Sequence, residues 1–454
     1  MAPSMKSIRF HPWYSVSVVA WLAFCHPGMF SAVNGLGASG EESAELSNTV
    51  NAVTFGALTV GGFFTGIICN YIGFRWTMVI AALYTNAAFG NTWFPILGGL
   101  TCGISGVHLW TATGAVNLVL PPVSQRGHAV ATKFTLQNFG GFIGGILAFG
   151  LNASGSVKGR VSDAYFTFMS IMCLGLPAAL TVPRPKQVIQ SDGSKIASHK
   201  FQSLREEFRG LKNMLSSSNF LLLLPFFLYC QWDLSYMWTW NAVYHSVRAR
   251  GLLSAFFYLI RPTIIGPIQG YLLDKTSWSR RKRARIGSVL FAITSALIWI
   301  FGLVSCLLFV LYGLLENSSM VVMYWILGSL GLPAGEVASL VGLAVGLGSA
   351  GSIAAFIIGA KNVALVWQLW ANVITFLIGI PGSLYVAWFR VVEDTVVDAA
   401  TSKRLENEPS LSEEKSRNSI KANLVPGVGA DVIVSGLVMH SKELTEPRVT
   451  SAKY

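Results

Sequence analysis

The stretch G-Y-L-L-D-K-T-S-W-S-R-R-K-R-A-R, residues 270–285, decides how the chain is read. Six of its residues between Lys275 and Arg285 are basic. Alone, such a run fits a nuclear-localisation or nucleic-acid patch. Its flanks exclude that reading. Leu252–Leu273 and Ile286–Leu332 are apolar almost throughout, so the cluster reads as a short turn at a membrane surface, where anionic lipid and the positive-inside bias favour it. A weaker copy, G-I-I-C-N-Y-I-G-F-R, stands upstream at residues 66–75. Each copy has a glycine, an amide or acid four residues later (Gly66 and Asn70, Gly270 and Asp274), then a basic residue. On a helix these two positions share a face: the small residue admits a neighbouring helix, and the amide or carboxylate is left at the polar boundary. Two copies at matching places predict a chain built from two related halves.

Composition supports a polytopic membrane protein. Of 454 residues, 52% are hydrophobic and 12% charged, with 45 glycines and a mean hydropathy of +0.54, which no soluble core requires. The net charge of +12 lies mostly outside the apolar runs. Six cysteines fall within apolar runs without C-x-x-C spacing, so neither a disulfide framework nor a zinc site is indicated.

Residues 1–12 form a short basic lead and residues 13–182 a first six-helix half. Residues 183–218 form a central loop, 219–390 a second six-helix half, and 391–454 a polar tail read as mostly disordered and cytosolic. The first apolar run, Trp13–Val33, is span-length and carries Cys25, His26 and Pro27 at its middle, which argues against a cleaved signal peptide. Further spans in this half fall at about 49–71, 75–90, 94–120, after Gly127, and 165–182. The fifth contains F-G-G-F-I-G-G (Phe139–Gly145), which invites tight helix packing. In the central loop, Leu204, Phe208, Leu211 and Leu215 recur at helical spacing, an amphipathic helix expected to lie on the inner leaflet. The second half repeats the plan at about 220–244, 252–274, 286–302, 303–330, 337–358 and 365–389. Ile286–Leu332 is too long for one crossing and must be a tight hairpin. On this topology roughly 27 Lys and Arg lie inside and about 5 outside, placing both termini in the cytosol. The membrane, plasma or internal, is left open. A glycosylation sequon, Asn152-Ala153-Ser154, falls on the expected outer side.

Twelve spans in two halves, the Gly-x-x-x-(Asn/Asp) turns and Arg126-Gly127 after the fourth span resemble the major facilitator superfamily. F-C-H-P-G-M-F-S-A-V-N-G-L-G (24–37), L-W-T-A-T-G-A (109–115), Q-S-D-G (190–193), L-L-D with R-R-K-R-A (272–284) and M-Y-W-I-L-G (323–328) resemble its uncoordinated-ninety-three-like branch, in a fungal form. The chain departs from that pattern at His26, where relatives tend to carry cysteine, at Asn70 in place of aspartate, and at Arg261, an unusual charge for the eighth span. Its third-to-fourth and ninth-to-tenth connections are also short. The resemblance implies the fold, an all-α bundle of about 12 transmembrane helices in two pseudo-symmetric halves. It leaves the activity open, because such families include accessory subunits and trafficking chaperones beside transporters. The resemblance also implies that Gly66, Asn70, Gly73, Arg75, Arg126, Gly127, Gly270 and Asp274 form gating and packing turns.

Ionisable and polar residues at membrane depth are the candidates for a solute site, since charges there are costly and face the bundle interior. Helix arithmetic puts Arg261 and Glu316 at about the same depth, roughly 15 Å in, as a pair across the cavity or a structural ion pair. Asp233, amid Trp232, Tyr236 and Trp238, is either a snorkelling acid in an aromatic belt or a binding residue. His26, beside Pro27 and Gly28, should interrupt the first helix and leave backbone groups for a solute. His108 and Asn34 are further cavity candidates, while Lys133 reads as snorkelling from the inner end of the fifth span.

The chain has no G-x-x-x-x-G-K-[ST] phosphate loop, no H-E-x-x-H and no nucleophile elbow, so neither ATP-driven pumping nor soluble-enzyme chemistry is indicated. No cofactor or metal is called for, and the bilayer is the expected partner rather than nucleic acid. Two readings stand: a secondary transporter of a small organic solute working by alternating access, or a non-transporting accessory or trafficking protein with a membrane-protein partner. The charge asymmetry sets one prediction. Cysteines introduced at Lys195 and Arg281 stay unmodified by an impermeant maleimide in intact cells, and one at Glu42 is labelled; the reverse pattern refutes the topology.

Overall fold

The computed structural model describes residues 8–35, 44–84, 93–122, 125–151, 161–189, 203–260, 264, 266–275, 277–301, 307–332 and 334–393. These residues belong to one compact unit, Met1–Asp394. The sequon, Glu42, Lys195, Arg261 and the tail lie outside the described residues, as does Asn34 for its side chain.

The helices fall where the hydropathy places them. In the first half the spans are Pro12–Ala23 continued by Phe24–Gly28 and Met29–Gly35; Ala44–Ile72; Phe74–Tyr84; Trp93–Val119; Arg126–Leu151; and Val161–Cys173 continued by Gly175–Thr181. In the second half they are Ser218–Tyr229 continued by Asp233–Tyr244; Val247–Ile260 continued by Gly266–Leu273; Arg280–Phe301; Leu307–Gly328; Ala334–Ala360; and Leu365–Phe389. Local chemistry sets their ends. Pro12 opens the first helix while the His11 side chain accepts from Trp13 N, and Ser217 caps the seventh span by accepting from Phe220 N. Gly73, at φ +82°, separates the second and third spans in a conformation that excludes most side chains. The expected hairpin is present: helices ending at Phe301 and restarting at Leu307 pack through Trp299 and Tyr312, ring centroids 5.5 Å apart.

The two halves meet along glycine seams. A Cβ built on Gly62 of the second span would stand 2.6 Å from Gly346 Cα and 2.7 Å from the Gly342 carbonyl of the eleventh, and one on Gly66 would strike the Ser339 backbone. The paired glycines of the fifth span serve two neighbours at once. Gly140 faces the first span, where a Cβ would lie 2.6 Å from the Phe24 carbonyl, while Gly141 and Gly145 face Tyr258 and Ala255 of the eighth at 2.6 and 2.9 Å. In lipid, helices gain nothing from burying apolar surface against one another, so close backbone approach and dispersion hold them.

Three expectations are corrected. The basic cluster is not a turn: Arg280 begins the ninth helix, and Arg280 and Arg283 are buried. Its guanidinium groups donate to carbonyls at helix ends, Arg283 to Leu273 (3.3 Å), Arg285 to Trp388 (3.1 Å) and Arg281 to Val391 (3.2 Å). Carbonyls left open at a helix C-terminus carry partial negative charge, and this draws the guanidinium groups to them, while Arg281 and Lys282 stay exposed. The loop helix, Leu204–Leu215, is also more than a lipid-surface element. Leu211 and Met214 are buried, Phe208 stacks edge-on to Phe64 with centroids 6.5 Å apart, and Glu207 accepts from Asn70 Nδ2 at 3.1 Å. Its exposed Leu204 and the outer side of Phe208 remain for the leaflet.

Gly270 likewise lacks the tight contact expected of it, since a Cβ there would meet only Ala131 at an ordinary 3.5 Å. Gly62→Ala therefore costs about 1 to 3 kcal/mol through overpacking of the seam, whereas Gly270→Ala is near neutral. Folded yield and melting temperature in detergent check this; equal losses for the two variants contradict the seam.

Candidate functional site

Between the halves lies a cavity of about 920 Å³ of atom-free space, its opening included. Each half supplies four walls: the first, second, fourth and fifth spans, and the seventh, eighth, tenth and eleventh. Two interrupted helices shape it. In the first span Pro27 sits within a π-helical turn, Phe24–Gly28, which turns His26, Pro27 and Phe30 to the cavity. The seventh span breaks at Cys230–Trp232, and neighbours meet the carbonyls released there: Ser319 Oγ donates to Cys230 O at 3.1 Å and Ser352 Oγ to Gln231 O at 2.6 Å. Irregular backbone at membrane depth persists where protein groups satisfy it in this way. The break presents Gln231, Leu234 and Trp238 to the cavity. Trp238 is fixed by Phe257, Tyr258 and Phe309, at centroid distances of 5.5, 6.3 and 5.7 Å.

Of the candidates read from sequence, His26 and Glu316 line this cavity. His26 is buried with Nδ1 3.3 Å from the Leu22 carbonyl, a contact that requires a proton on Nδ1. Glu316 is half-buried on the tenth span. Its proposed partner Arg261 falls outside the described residues. Asp233 is not a snorkelling acid of an aromatic belt: it is 3% exposed and opens the second segment of the seventh span. His108 is half-buried and its Nδ1 lies 2.7 Å from the Ile104 carbonyl; the residues beside it, Leu109 and Trp110, reach the cavity and it does not.

Below the cavity, at the end of the bundle that holds the central loop, the turn residues join the halves. Asp274, buried at the end of the eighth span, accepts from Gly127 N (2.9 Å) and His128 N (2.5 Å), the first backbone donors of the fifth helix, and contacts His128 Nδ1. A carboxylate at a helix N-terminus satisfies orphan donors and the helix dipole together. Burial pushes the Asp274 carboxyl up from its ordinary range, and the donors from His128 and Gly127 act against that rise. Arg126 Nη1 donates to Gly328 O at the end of the tenth span (3.2 Å), and Arg75 Nε to Val182 O (2.5 Å). Asn70 reaches the loop helix instead of a second helix terminus. Gly66 and Gly127 are the close-approach glycines, against Ser339 and the Asp274 carboxylate.

Lys133 departs most from expectation. It does not snorkel: it is 2% exposed, with Nζ over the rings of Trp110 (3.6 Å), Phe134 (4.2 Å) and Tyr324 (5.2 Å). The signal was its spacing, since Lys133 and cavity-lining Gln137 are one turn apart on one face of the fifth helix.

This fold and its mid-bundle cavity define a class, which comparison with known proteins supports. The family model of the Major Facilitator Superfamily matches residues 16–356, and the chain belongs to that superfamily. Within it, the chain is similar to UNC93-like proteins. It is 28% identical over 385 residues to one from Schizosaccharomyces pombe (76% of each chain) and 27% identical over 431 residues to UNC93-like protein 1 of Arabidopsis thaliana (86% of this chain, 92% of the relative). A notoamide biosynthesis cluster protein O′ of Aspergillus versicolor is 29% identical over 304 residues (64% and 65%). Among solved structures, the proton:xylose symporter XylE superposes with a TM-score of 0.59 at 16% identity, over 84% of this chain and 96% of that one. The human organic anion transporter MFSD10 gives 0.58 at 13%, over 82% and 99%. At these identities the likeness shows the fold alone.

Asp274→Asn keeps the shape but removes the charge that caps the fifth helix. Hydrogen bonds to charged groups contribute about 1.5 to 3 kcal/mol, so the variant lowers the melting temperature and raises maleimide labelling of a cysteine at Ser329. Unchanged labelling contradicts a role in closing this end.

Proposed function

We propose that the chain is a secondary transporter that carries a small organic molecule by rocking its halves about the cavity, with the loop end facing the cytosol. The observation that carries the reading is the cavity itself, which draws four walls from each half and lies above contacts that join the halves at one end. A protein that only escorts a partner has no use for an interior site built symmetrically from both halves. Relative rotation of the halves along the glycine seams would release the Asp274 and Arg126 contacts and expose the cavity on the loop side. The lining suits an organic body with limited charge: Phe55, Trp238, Tyr258 and Phe356 supply aromatic faces, and Thr54, Ser105, Gln137 and Ser349 supply hydrogen-bonding groups. Glu316 supplies a carboxyl and His26 an imidazole to the site. The relatives' names support membership of the group without fixing a solute.

The test joins genetics to reconstitution. Metabolites are profiled in a strain lacking the gene, and the pool that changes is offered to proteoliposomes containing the purified chain. Time-dependent uptake of at least one organic solute is expected, reduced about tenfold or more by Glu316→Gln at unchanged folded yield, equivalent to about 1.4 kcal/mol or more. Absence of uptake from the whole pool, with an intact fold, refutes transport and favours the accessory role.

A further inference from the structure

We infer that Lys133, caged behind the cavity wall, is the recognition point for a negatively charged group on the solute, which makes the solute an amphipathic organic monoanion. This deepens the transporter reading and rests on it for the word solute; the binding site it describes can be tested separately.

Lys133 lies two turns inside the fifth helix, about 10 Å from its start at Arg126. Its ammonium is buried and has no hydrogen-bond partner among the described residues. A buried ammonium without a counter-charge is among the costliest groups a membrane bundle can hold, and it persists where something compensates it. In this structure the compensation is three aromatic faces, Trp110 from the fourth span, Tyr324 from the tenth and Phe134 beside it. They are locked together, with Phe134 edge-on to Tyr324 at 5.8 Å and 6.0 Å from Trp110. Ring faces replace part of a cation's hydration, but they supply no full charge and no directed acceptor.

Among the described residues, the charged groups on the packed elements leave that role unfilled. Asp274 is held by the N-terminus of the fifth helix, and Arg250 of the eighth span donates to Ala242 and His245 carbonyls. His108 of the fourth span turns to Ile104. His26 of the first span and Glu316 of the tenth face the cavity, and neither meets the Lys133 ammonium. Trp110 connects this site to the cavity. The same ring that covers the ammonium at 3.6 Å lines the cavity, as does Gln137 one turn away, whose buried Oε1 also has no partner. Rotation of Trp110 would place a solute carboxylate against the ammonium, replacing a cation–π contact with a charge-assisted hydrogen bond. Most of the lining is apolar and aromatic with uncharged polar groups between, and Glu316 on the same cavity disfavours a second negative charge.

The experiment measures binding to the purified full-length chain in lipid nanodiscs by calorimetry and thermal shift. The probes are matched by shape and differ in charge: 4-phenylbutanoate, 4-phenylbutanamide and 4-phenylbutylamine, with octanoate and octanamide as a second pair. Each carboxylate binds about tenfold or more tightly than its amide, and the amine binds weakest. Lys133→Arg keeps the preference for the anion, and Lys133→Met abolishes it while its melting temperature holds or rises, because the buried charge is gone. Equal affinity for carboxylate and amide, absence of saturable binding of either carboxylate, or a preference that survives Lys133→Met overturns the inference. The two readings fail differently. Uptake from the metabolite pool without anion preference sinks only the Lys133 assignment, whereas anion binding without uptake of any solute sinks transport and leaves the site.

Discussion

The approach of the second span to the eleventh, backbone against backbone, is the constraint on which the rest of the molecule depends. At Gly62 and Gly66 there is no room for a side-chain carbon, and at Gly342 and Gly346 one would stand 3.0 Å from the facing backbone. The seam fixes how near the halves stand, and therefore the width of the cavity above the loop end and the reach required of Arg126 and Asp274 below it. The fifth and eighth spans repeat the arrangement on the other side, through Gly141 and Gly145. Smooth glycine surfaces also resist relative motion less than interdigitated side chains do, so a seam that holds the halves close can still let them tilt.

Polar groups are distributed around that constraint with little waste. Asp274 does three things with one carboxylate, closing the eighth span, capping the fifth helix and joining the halves. Ser319 and Ser352 satisfy the broken seventh helix and so make room for Trp238 and Gln231 at the cavity. The arginines of residues 280–285 cover the carbonyl ends of the eighth and twelfth spans. Lys133 stands apart from this pattern, a cation whose surroundings are rings.

Most of the fold was legible in the sequence because apolar length is a strong signal in a membrane protein: the fourth, tenth, eleventh and twelfth spans end within four residues of the bounds that hydropathy sets. The F-G-G-F-I-G-G run also declared its packing role, since paired small residues four apart have few other uses. What the sequence hid was direction. Charge clustering could not say that Arg280 and Arg283 are buried, or that Arg283 and Arg285 reach the carbonyls of Leu273 and Trp388, because that depends on where the eighth and twelfth spans finish in space. Lys133 reads as snorkelling by its distance from the helix end, yet its face on the fifth helix, shared with Gln137, points between the halves. Gly270 fails as a packing residue for the same reason: the motif gives its position and not its neighbour, which is only Ala131 at van der Waals distance.

In the proposed cycle the halves move as bodies about the glycine seams, opening the cavity at one end as they close it at the other. Double electron–electron resonance between spin labels tests it directly, with one pair at Tyr71 and Tyr271 on exposed positions of the loop end and a second at Leu97 and Tyr244 at the opposite end. In nanodiscs, the account predicts two distance populations at each end whose weights shift in opposite directions when the metabolite pool is added. A single distance at both ends, unchanged by the pool and by pH, would contradict it.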